Sequence, residues 1–450
     1  MEAAEAVGGG DGIKPSTVLD LLGHLVDKSL VVAQLPYPRA EVRYRLLETL
    51  REYALERLTA ETTLAAATNR HARYFLALVE RADARLWTGD EAGAVSSIEP
   101  EHDNVRAALW HFLATGEAEC AARLAGALGM FWFFGGHFEE GRAWLREVLG
   151  QLGAGSSVSA SATYAKALHA DGRLAHGQGD YAVAEQRLHA ALAVWRQLED
   201  RVQIANALFL LGRAALGRGE RAAAQALFLE SLACAEAAGD PWVESLPRLW
   251  MAQVAFDDGD DDAARAWAEK VLAGVETTGS HRNACFALRL LGDVEARQGN
   301  LDRARKLLEA SLAHGREVGR WLAAWPAAEL ADLLIEQRDH TAARALLREA
   351  LITLSRCRGS GGGGGQPGRV RTAGGYPRRG GPGGAPGGRG RGIARCGRYA
   401  GTRRADELGP APGRGASDAR IASRRCGLGR RPDSTAPAGH CRGVGFAGHA

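Results

Sequence analysis

The chain has no uninterrupted run of 18 apolar residues among its 450, so the sequence predicts no transmembrane helix. Its opening residues, MEAAEAVGGGDG, contain neither a basic region nor an apolar core and are unlike a signal peptide. The seven cysteines are scattered and form no CxxC pair, which favours free thiols in a reducing compartment. Together these absences predict a cytoplasmic protein.

The sequence also lacks the common motifs of catalysis. No G-x-x-x-x-G-K-[ST] occurs, and the nearest string, Gly8–Ser16, places a proline directly after its lysine. His169 and His176 lie seven residues apart without the H-E-x-x-H pattern of a zinc site. The acidic run Asp257–Asp262 lacks the later glutamate of a calcium loop, so a solvated turn with capping aspartates is expected. We therefore expect no enzymatic activity, metal or cofactor in this chain.

Charge is divided unevenly along the chain. Residues 359–450 hold 17 arginines against four acidic residues, and nearly a third of their positions are glycine. Such a segment cannot bury enough apolar surface to fold, so we predict a disordered tail over residues 357–450. Two interpretations stay open. Either the arginines bind nucleic acid through phosphate contacts, as the Gly/Arg string Arg378–Gly392 suggests, or a GC-rich gene is read out of frame after about Cys357.

The middle of the chain repeats with a period of 40 residues. Each repeat has a central glycine followed by a polar residue, with a small residue seven places before, an alanine five after and a leucine thirteen after. The period predicts a solenoid of helix pairs, with glycine in the turn that joins the two helices of each pair. The four glycines are Gly179, Gly219, Gly259 and Gly299.

The repeat extends in both directions. An earlier copy covers Met130–Leu149, with Gly136 at the turn, which makes about six units. We expect small residues such as Gly212 and Ala224 to let the paired helices approach closely, while the leucines close the core between units. A fifth full copy, one residue shorter, has its equivalent positions at Ala331, Arg338, Ala343 and Leu351.

These residues resemble the tetratricopeptide repeat, most clearly at Leu210–Leu232 and Leu290–Leu312. That family's usual unit is about 34 residues, so a period of 40 predicts helices about one turn longer. Upstream, the string LLGHLVDKSLVV, His71–Ala82 and Glu101–His111 resemble the middle of LuxR-type and AfsR-type bacterial transcriptional regulators of the STAND class. The resemblance implies an ATP-binding module in a missing upstream part, then a winged helix, a helical stretch and repeats. DNA would be bound only through missing or incomplete domains.

We therefore predict an all-α tetratricopeptide-like helical-hairpin solenoid with an N-terminal winged-helix remnant and a disordered C-terminal tail. The remnant is expected as a helix, a β-hairpin and a second helix. The predicted domains are a disordered or truncated start at 1–15, the remnant at 16–62, a helical connector at 63–120, the solenoid at 121–356 and the tail at 357–450.

A ligand-binding groove follows from the resemblance. In tetratricopeptide-like solenoids the first helix of each unit lines the concave face, where a protein, a peptide or a small effector would bind. The alternative is that the polar residues on this face are simply solvated. The predicted groove residues are Lys166, His169, Arg173, Arg213, Gln253, Arg289, Asp293, Trp325 and Asp332.

The favoured function is the sensor and interaction region of a LuxR/AfsR-like ATP-dependent regulator, truncated and without its nucleotide-binding site. One alternative is a free-standing tetratricopeptide-repeat scaffold. The other is a nucleic-acid-binding protein that uses its Arg/Gly tail. No membrane association is expected.

Overall fold

The computed structural model describes residues 2–10, 12–34, 42–60, 63–86, 90–153 and 161–359. The N-terminal part contains short helices and one hairpin before a long helix. Its elements are α1 (Glu2–Gly8), α2 (Val18–Asp27), β1 (Val31–Gln34), β2 (Arg43–Leu46), α3 (Glu48–Ala60), α4 (Leu64–Leu86), α5 (Glu91–Ile98) and α6 (His102–Thr115).

The chain start differs from its expectation. We predicted a disordered segment over residues 1–15, but Glu2–Gly8 forms α1, which packs against α4. Arg70 on α4 donates a hydrogen bond of 3.0 Å to the Val7 carbonyl near the end of α1. The alanines and glutamates of EAAEAV are good helix formers, and this local propensity outweighs the glycines that follow.

The predicted order of helix, hairpin and helix is present as α2, the β1/β2 hairpin and α3. The two strands pair antiparallel, with Val31 opposite Leu46 and Gln34 opposite Arg43. The sequence predicts a turn at the string LPYPRA between the strands, and these residues lie outside the described part of the chain. Thr17 directly precedes α2, but its hydroxyl donates to the Lys14 carbonyl and does not cap the helix. That these elements are a winged-helix remnant stays a prediction.

The remaining helices pair into hairpins. Five hairpins follow the stretch of shorter helices, and in each of them a first helix is joined to a second by a tight turn. The shorter helices are α7 (Ala118–Ala127), α8 (Gly129–Gly135) and α9 (Phe138–Gly153). The hairpins are α10/α11 (Ala162–Gly177, Tyr181–Gln197), α12/α13 (Arg201–Arg218, Arg221–Ala238), α14/α15 (Pro241–Asp258, Asp261–Thr278), α16/α17 (His281–Arg297, Leu301–Val318) and α18/α19 (Arg320–Glu336, His340–Gly359). None of the described helices is long and apolar enough to cross a membrane.

The turn glycines adopt the predicted left-handed backbone. Their φ angles lie between 80° and 87° at the four central turns and at 75° for Gly136. Arg338 occupies the same place in the fifth unit with φ of 64°, which is strained for a residue with a side chain. A second series of positive φ angles, also 40 residues apart, joins successive hairpins at Glu199, Gly239 and Gly279. This second turn was absent from the sequence-based prediction.

Small residues on the first helices face large ones on the second. A Cβ added to Gly212 would lie 2.5 Å from the Phe228 ring, and one added to Gly292 would lie 2.8 Å from Leu308. In the third unit both equivalent positions, Ala252 and Ala268, are fully buried alanines. A methyl group gained on one helix is therefore matched by a smaller side chain on the other, which keeps the helices equally close.

The hydrophobic core crosses the predicted boundary at residue 120. One cluster of buried side chains runs from Ala72 on α4 to Val254 on α14. The connector and the first hairpins therefore share a core, because α4 and α6 pack on α7 as a further helical layer. At the other end, Leu351 was expected to close a core but is 65% exposed, since no described helix packs beyond α19.

Candidate ligand-binding face

The first helices of the hairpins lie on the inner side of the solenoid. Each contacts the first helix of the next hairpin, from α10 to α12 and on to α18. Such contacts are expected on the concave side of a solenoid, because successive helices lie closest together there. We call the surface formed by these first helices the inner face. All nine predicted groove residues lie on these helices.

The beginning of the inner face is basic and mostly closed to solvent. Lys166 is exposed and forms an ion pair with the buried Asp83 of α4. His169 is only 7% exposed, and its Nε2 accepts a hydrogen bond of 3.0 Å from Arg173. Among the described residues Arg173 forms no ion pair with a carboxylate. The alternative that these residues are simply solvated is therefore wrong for His169.

Two further arginines stack on aromatic rings. The Arg213 guanidinium lies 4.6 Å from the centre of the Trp250 ring, and it too has no carboxylate partner among the described residues. Arg282 lies in the first turn of α16, and its guanidinium lies 4.6 Å from the centre of the Trp242 ring. Stacking stabilises a guanidinium while leaving the N–H groups at its edge free to donate. We call Arg173, Arg213 and Arg282 the inner arginine cluster.

One carboxylate reaches this cluster. Glu91 on α5 lies 3.7 Å from Arg282, and both residues are more than nine-tenths buried. The contact is too long for a hydrogen bond, and neither Glu91 oxygen has a hydrogen-bond partner among the described residues. Helix α5 packs on α4 and also contacts α8 and α17, so it extends from the connector to the fourth hairpin.

The electrostatics show an excess of positive charge here. Burial, followed by the charges of Arg213 and Arg282, lowers the pKa of Arg173 to about 9. Burial likewise lowers the pKa of Arg213 to about 10. Burial and the charges of Arg213 and Arg173 lower the pKa of His176 to about 2, so this histidine is neutral. Both arginines stay charged at neutral pH and repel each other.

The later part of the inner face is neutralised. Arg289 donates hydrogen bonds of 2.9 Å to Asp293 and to Glu329, and one of 2.8 Å to Gln253. Burial alone would lower the pKa of Arg289, but the charges of Glu329 and Asp293 outweigh it and raise the pKa above its usual range. Three of the predicted groove residues thus form one network in which the positive charge is satisfied.

The last two predicted residues lie beyond this network. Trp325 is half-buried and meets Phe286 edge-on, with ring centres 6.3 Å apart. Asp332 is half-buried on α18. Sequence reasoning missed Arg282, Glu91 and Glu329, and only Glu329 carried a signal, because it follows Arg289 by one period of 40.

A group of three residues with metal-binding side chains lies outside the inner face. The potential ligand atoms of His102, His137 and Glu140 all lie within 4.8 Å of one another. Arg106, however, donates to both Glu140 oxygens at 2.7 Å. Burial would raise the pKa of Glu140, but the hydrogen bonds from Arg106 and His102 hold it well below its usual range. A cation would have to displace Arg106, so this carboxylate is already used.

The fold defines an all-α protein built of tetratricopeptide-type helical hairpins. The sequence agrees, since residues 163–237, 245–317 and 283–352 match the tetratricopeptide repeat family.

The chain is also homologous to mycobacterial proteins. It is 32% identical over 314 residues to the "Putative HTH-type transcriptional regulator Mb0914c" of Mycobacterium bovis and, equally, to its counterpart Rv0890c of Mycobacterium tuberculosis. The matched region is 68% of this chain but only 35% of each relative. The chain therefore spans about a third of the length of these relatives.

Solved structures share the helical-repeat fold at low identity. A STAND protein with a tetratricopeptide repeat sensor from Pyrococcus horikoshii is 13% identical, has a TM-score of 0.43, and aligns over 79% of this chain and 60% of its own. RapI in its apo form is 10% identical with a TM-score of 0.46, covering 63% of this chain and 99% of its own.

Proposed function

We propose that this chain is the sensor and partner-binding region of a LuxR/AfsR-like, ATP-dependent transcriptional regulator. The observation that carries the proposal is the 32% identity over 314 residues to proteins described as putative HTH-type transcriptional regulators, a match longer than the predicted solenoid at 121–356. A scaffold built only from repeats would not require similarity that extends beyond the repeats. On this proposal the regulator acts in the cytoplasm.

In this proposal the inner face receives a protein, a peptide or a small effector. The core shared by the connector and the first hairpins supports such a role, because a change in hairpin packing would reach α4 and α6 through side chains already in contact. ATP and DNA would be bound by other parts of the regulator. This chain would itself bind no cofactor and catalyse no reaction, consistent with the lack of a G-x-x-x-x-G-K-[ST] motif.

Gene replacement in the native host tests this proposal. A chromosomal copy lacking residues 161–359 should change the abundance of a defined set of transcripts, and restoring the segment should reverse the change. Unchanged transcripts, together with loss of proteins that co-purify with the chain, would favour the scaffold alternative.

The Arg/Gly segment gives the remaining alternative, a nucleic-acid-binding protein. Its 17 arginines would bind phosphates with a strong dependence on salt. RNA crosslinking that disappears when residues 360–450 are removed would support this alternative. Resequencing the gene across the codon for Cys357 decides whether the segment is translated in its natural frame.

A further inference from the structure

The inner arginine cluster holds more positive charge than its surroundings neutralise. Asp83 pairs with Lys166, and Glu91 approaches Arg282, but Arg173 and Arg213 have no carboxylate partner among the described residues. Both arginines are half-buried, and the one carboxylate whose charge favours Arg173, that of Asp83, is already paired with Lys166. Such an arrangement lowers stability, and natural proteins keep unfavourable charges of this kind mainly where a ligand compensates them.

The geometry of the guanidiniums suits an oxyanion. The guanidiniums of Arg213 and Arg282 lie over the rings of Trp250 and Trp242, and these ring contacts do not use up their N–H donors. The Nη2 of Arg282, which is 8% exposed, has no hydrogen-bond partner among the described residues. The Nδ1 of the buried His169 is likewise without a partner there. Arginine edges match the paired oxygens of phosphate and carboxylate groups.

We propose that the inner arginine cluster binds a dianionic oxyanion ligand, and that the Glu91 carboxylate is an internal competitor displaced when this ligand binds. Two guanidiniums without an ion-pair partner among the described residues match two negative charges, as on a phosphate group or a pair of carboxylates. The inference rests on the proposed function only in taking the inner face as the place where a ligand is received.

Glu91 is suited to being displaced. It approaches Arg282 without a hydrogen bond, and the helix that carries it contacts both the connector and the fourth hairpin. A ligand with better hydrogen-bonding geometry would satisfy Arg282 and repel the Glu91 carboxylate. The position of α5, and with it the connector, would then depend on whether the site is filled.

Calorimetric titration of the full chain with inorganic pyrophosphate tests the site, with a parallel titration using succinate. Any anion that the Arg-rich segment binds is common to all variants, so only the binding lost on changing the cluster is assigned to the site. We expect Arg173→Met and Arg213→Met each to weaken one-to-one binding at least about thirtyfold. Arg196→Met is the control, because this arginine is 55% exposed on α11 and paired with Glu230.

The two titrations separate the sources of the ligand. Binding of pyrophosphate alone supports a phosphate ligand, and binding of succinate alone supports a dicarboxylate. If neither binds, or if Arg196→Met weakens binding as much as Arg213→Met, the site does not exist. We expect Glu91→Gln to tighten binding about tenfold by removing the competing charge. Unchanged or weaker binding in this variant would refute the role of Glu91.

Failure of this inference is distinguishable from failure of the proposed function. If the host transcripts change on removal of the repeats but neither anion binds, the regulatory function is supported and the anion site is refuted. If an anion binds at the cluster but the transcripts do not change, the anion site is supported and the regulatory function is refuted.

Discussion

The half-buried arginines at the two ends of the inner face have opposite electrostatic surroundings. Arg289 is surrounded by Asp293, Glu329 and Gln253, and its pKa is raised. Arg213 lies over the Trp250 ring without a carboxylate partner among the described residues, and its pKa is lowered to about 10. The first arrangement is what a structural arginine requires, whereas the second leaves a charge to be satisfied from outside. The contrast suggests that the repeats share a scaffold but not a role.

The largest expected effect is on stability, which should fall on replacing one of these two arginines but not the other. Arg289→Met leaves the Asp293 and Glu329 carboxylates without their cation and should lower the free energy of unfolding by about 3–5 kcal/mol. Arg213→Met removes an unpaired charge and lets a flexible apolar side chain pack on Trp250, so stability should change by less than about 1 kcal/mol or rise. Guanidinium denaturation midpoints measure both. Equal losses in the two variants would remove the distinction between the ends of the face.

The scaffold itself should respond alike at both ends. Gly212→Ala and Gly292→Ala each place a methyl group against a large side chain of the paired helix, at 2.5 Å and 2.8 Å. Each should lower stability by about 1–3 kcal/mol, because Phe228 or Leu308 must move. The control is Gly274→Ala, where the new Cβ would make an ordinary contact at 3.9 Å. This variant should gain up to about 1 kcal/mol through helix propensity, and a loss there would contradict the packing argument.

Acid should act on the basic end of the face. The pKa of His169 is lowered well below its usual value and that of His176 to about 2, in both cases mainly by burial. Below pH 6.5 these two histidines take up protons in the unfolded chain but not in the folded one. Their contribution to the free energy of unfolding is therefore complete above that pH and is lost as the pH falls below it. The loss should be about 1.4 kcal/mol per histidine at pH 5.5.

Two variants check this pH dependence by thermal melting between pH 7.5 and 5.5. His176→Gln should lose about 1.4 kcal/mol less than the unsubstituted protein over this range. His189→Gln is the matched control, because this histidine is 58% exposed on α11, and its pH dependence should match that of the unsubstituted protein. If His176→Gln behaves like the control, the histidine is not held neutral.

The smallest effect concerns the turn of the fifth unit. Arg338 holds φ of 64° where the five other units have glycine. Arg338→Gly should raise stability by about 0.5–1 kcal/mol by relieving this backbone strain. Gly219→Ala should lower it by a similar amount, since φ there is 86°. Thermal melting measures both shifts, and two shifts of the same sign would show that the turns are not equivalent.

The fold was largely predictable because its determinants are local and periodic. Glycine spacing fixed the turns, and even Arg338 was assigned to its turn by position alone. The helix at Glu2–Gly8 was not predicted, because the prediction gave more weight to the glycines of residues 1–15 than to the alanines and glutamates, which favour a helix. The shared core was missed because packing between α4 and the repeats leaves no trace in the period.

The candidate site was predictable only in part. The row of polar residues from Lys166 to Asp332 was assigned to one face by helical geometry, and these residues do lie on the first helices. Which of them are neutralised depends on partners distant in sequence. Glu91 and Arg282 are separated by 191 positions, and nothing in either segment indicates that they meet. That these residues bind a ligand stays a prediction.

The most direct test of the central claim compares the effect of Arg213→Met on the unfolding midpoint without and with saturating pyrophosphate. We predict that the substitution leaves the midpoint unchanged or raises it without the anion. With the anion, the variant should be less stable than the unsubstituted protein, because only the latter gains stability from binding. An effect of the same sign and size under both conditions would show that Arg213 is not kept for a ligand.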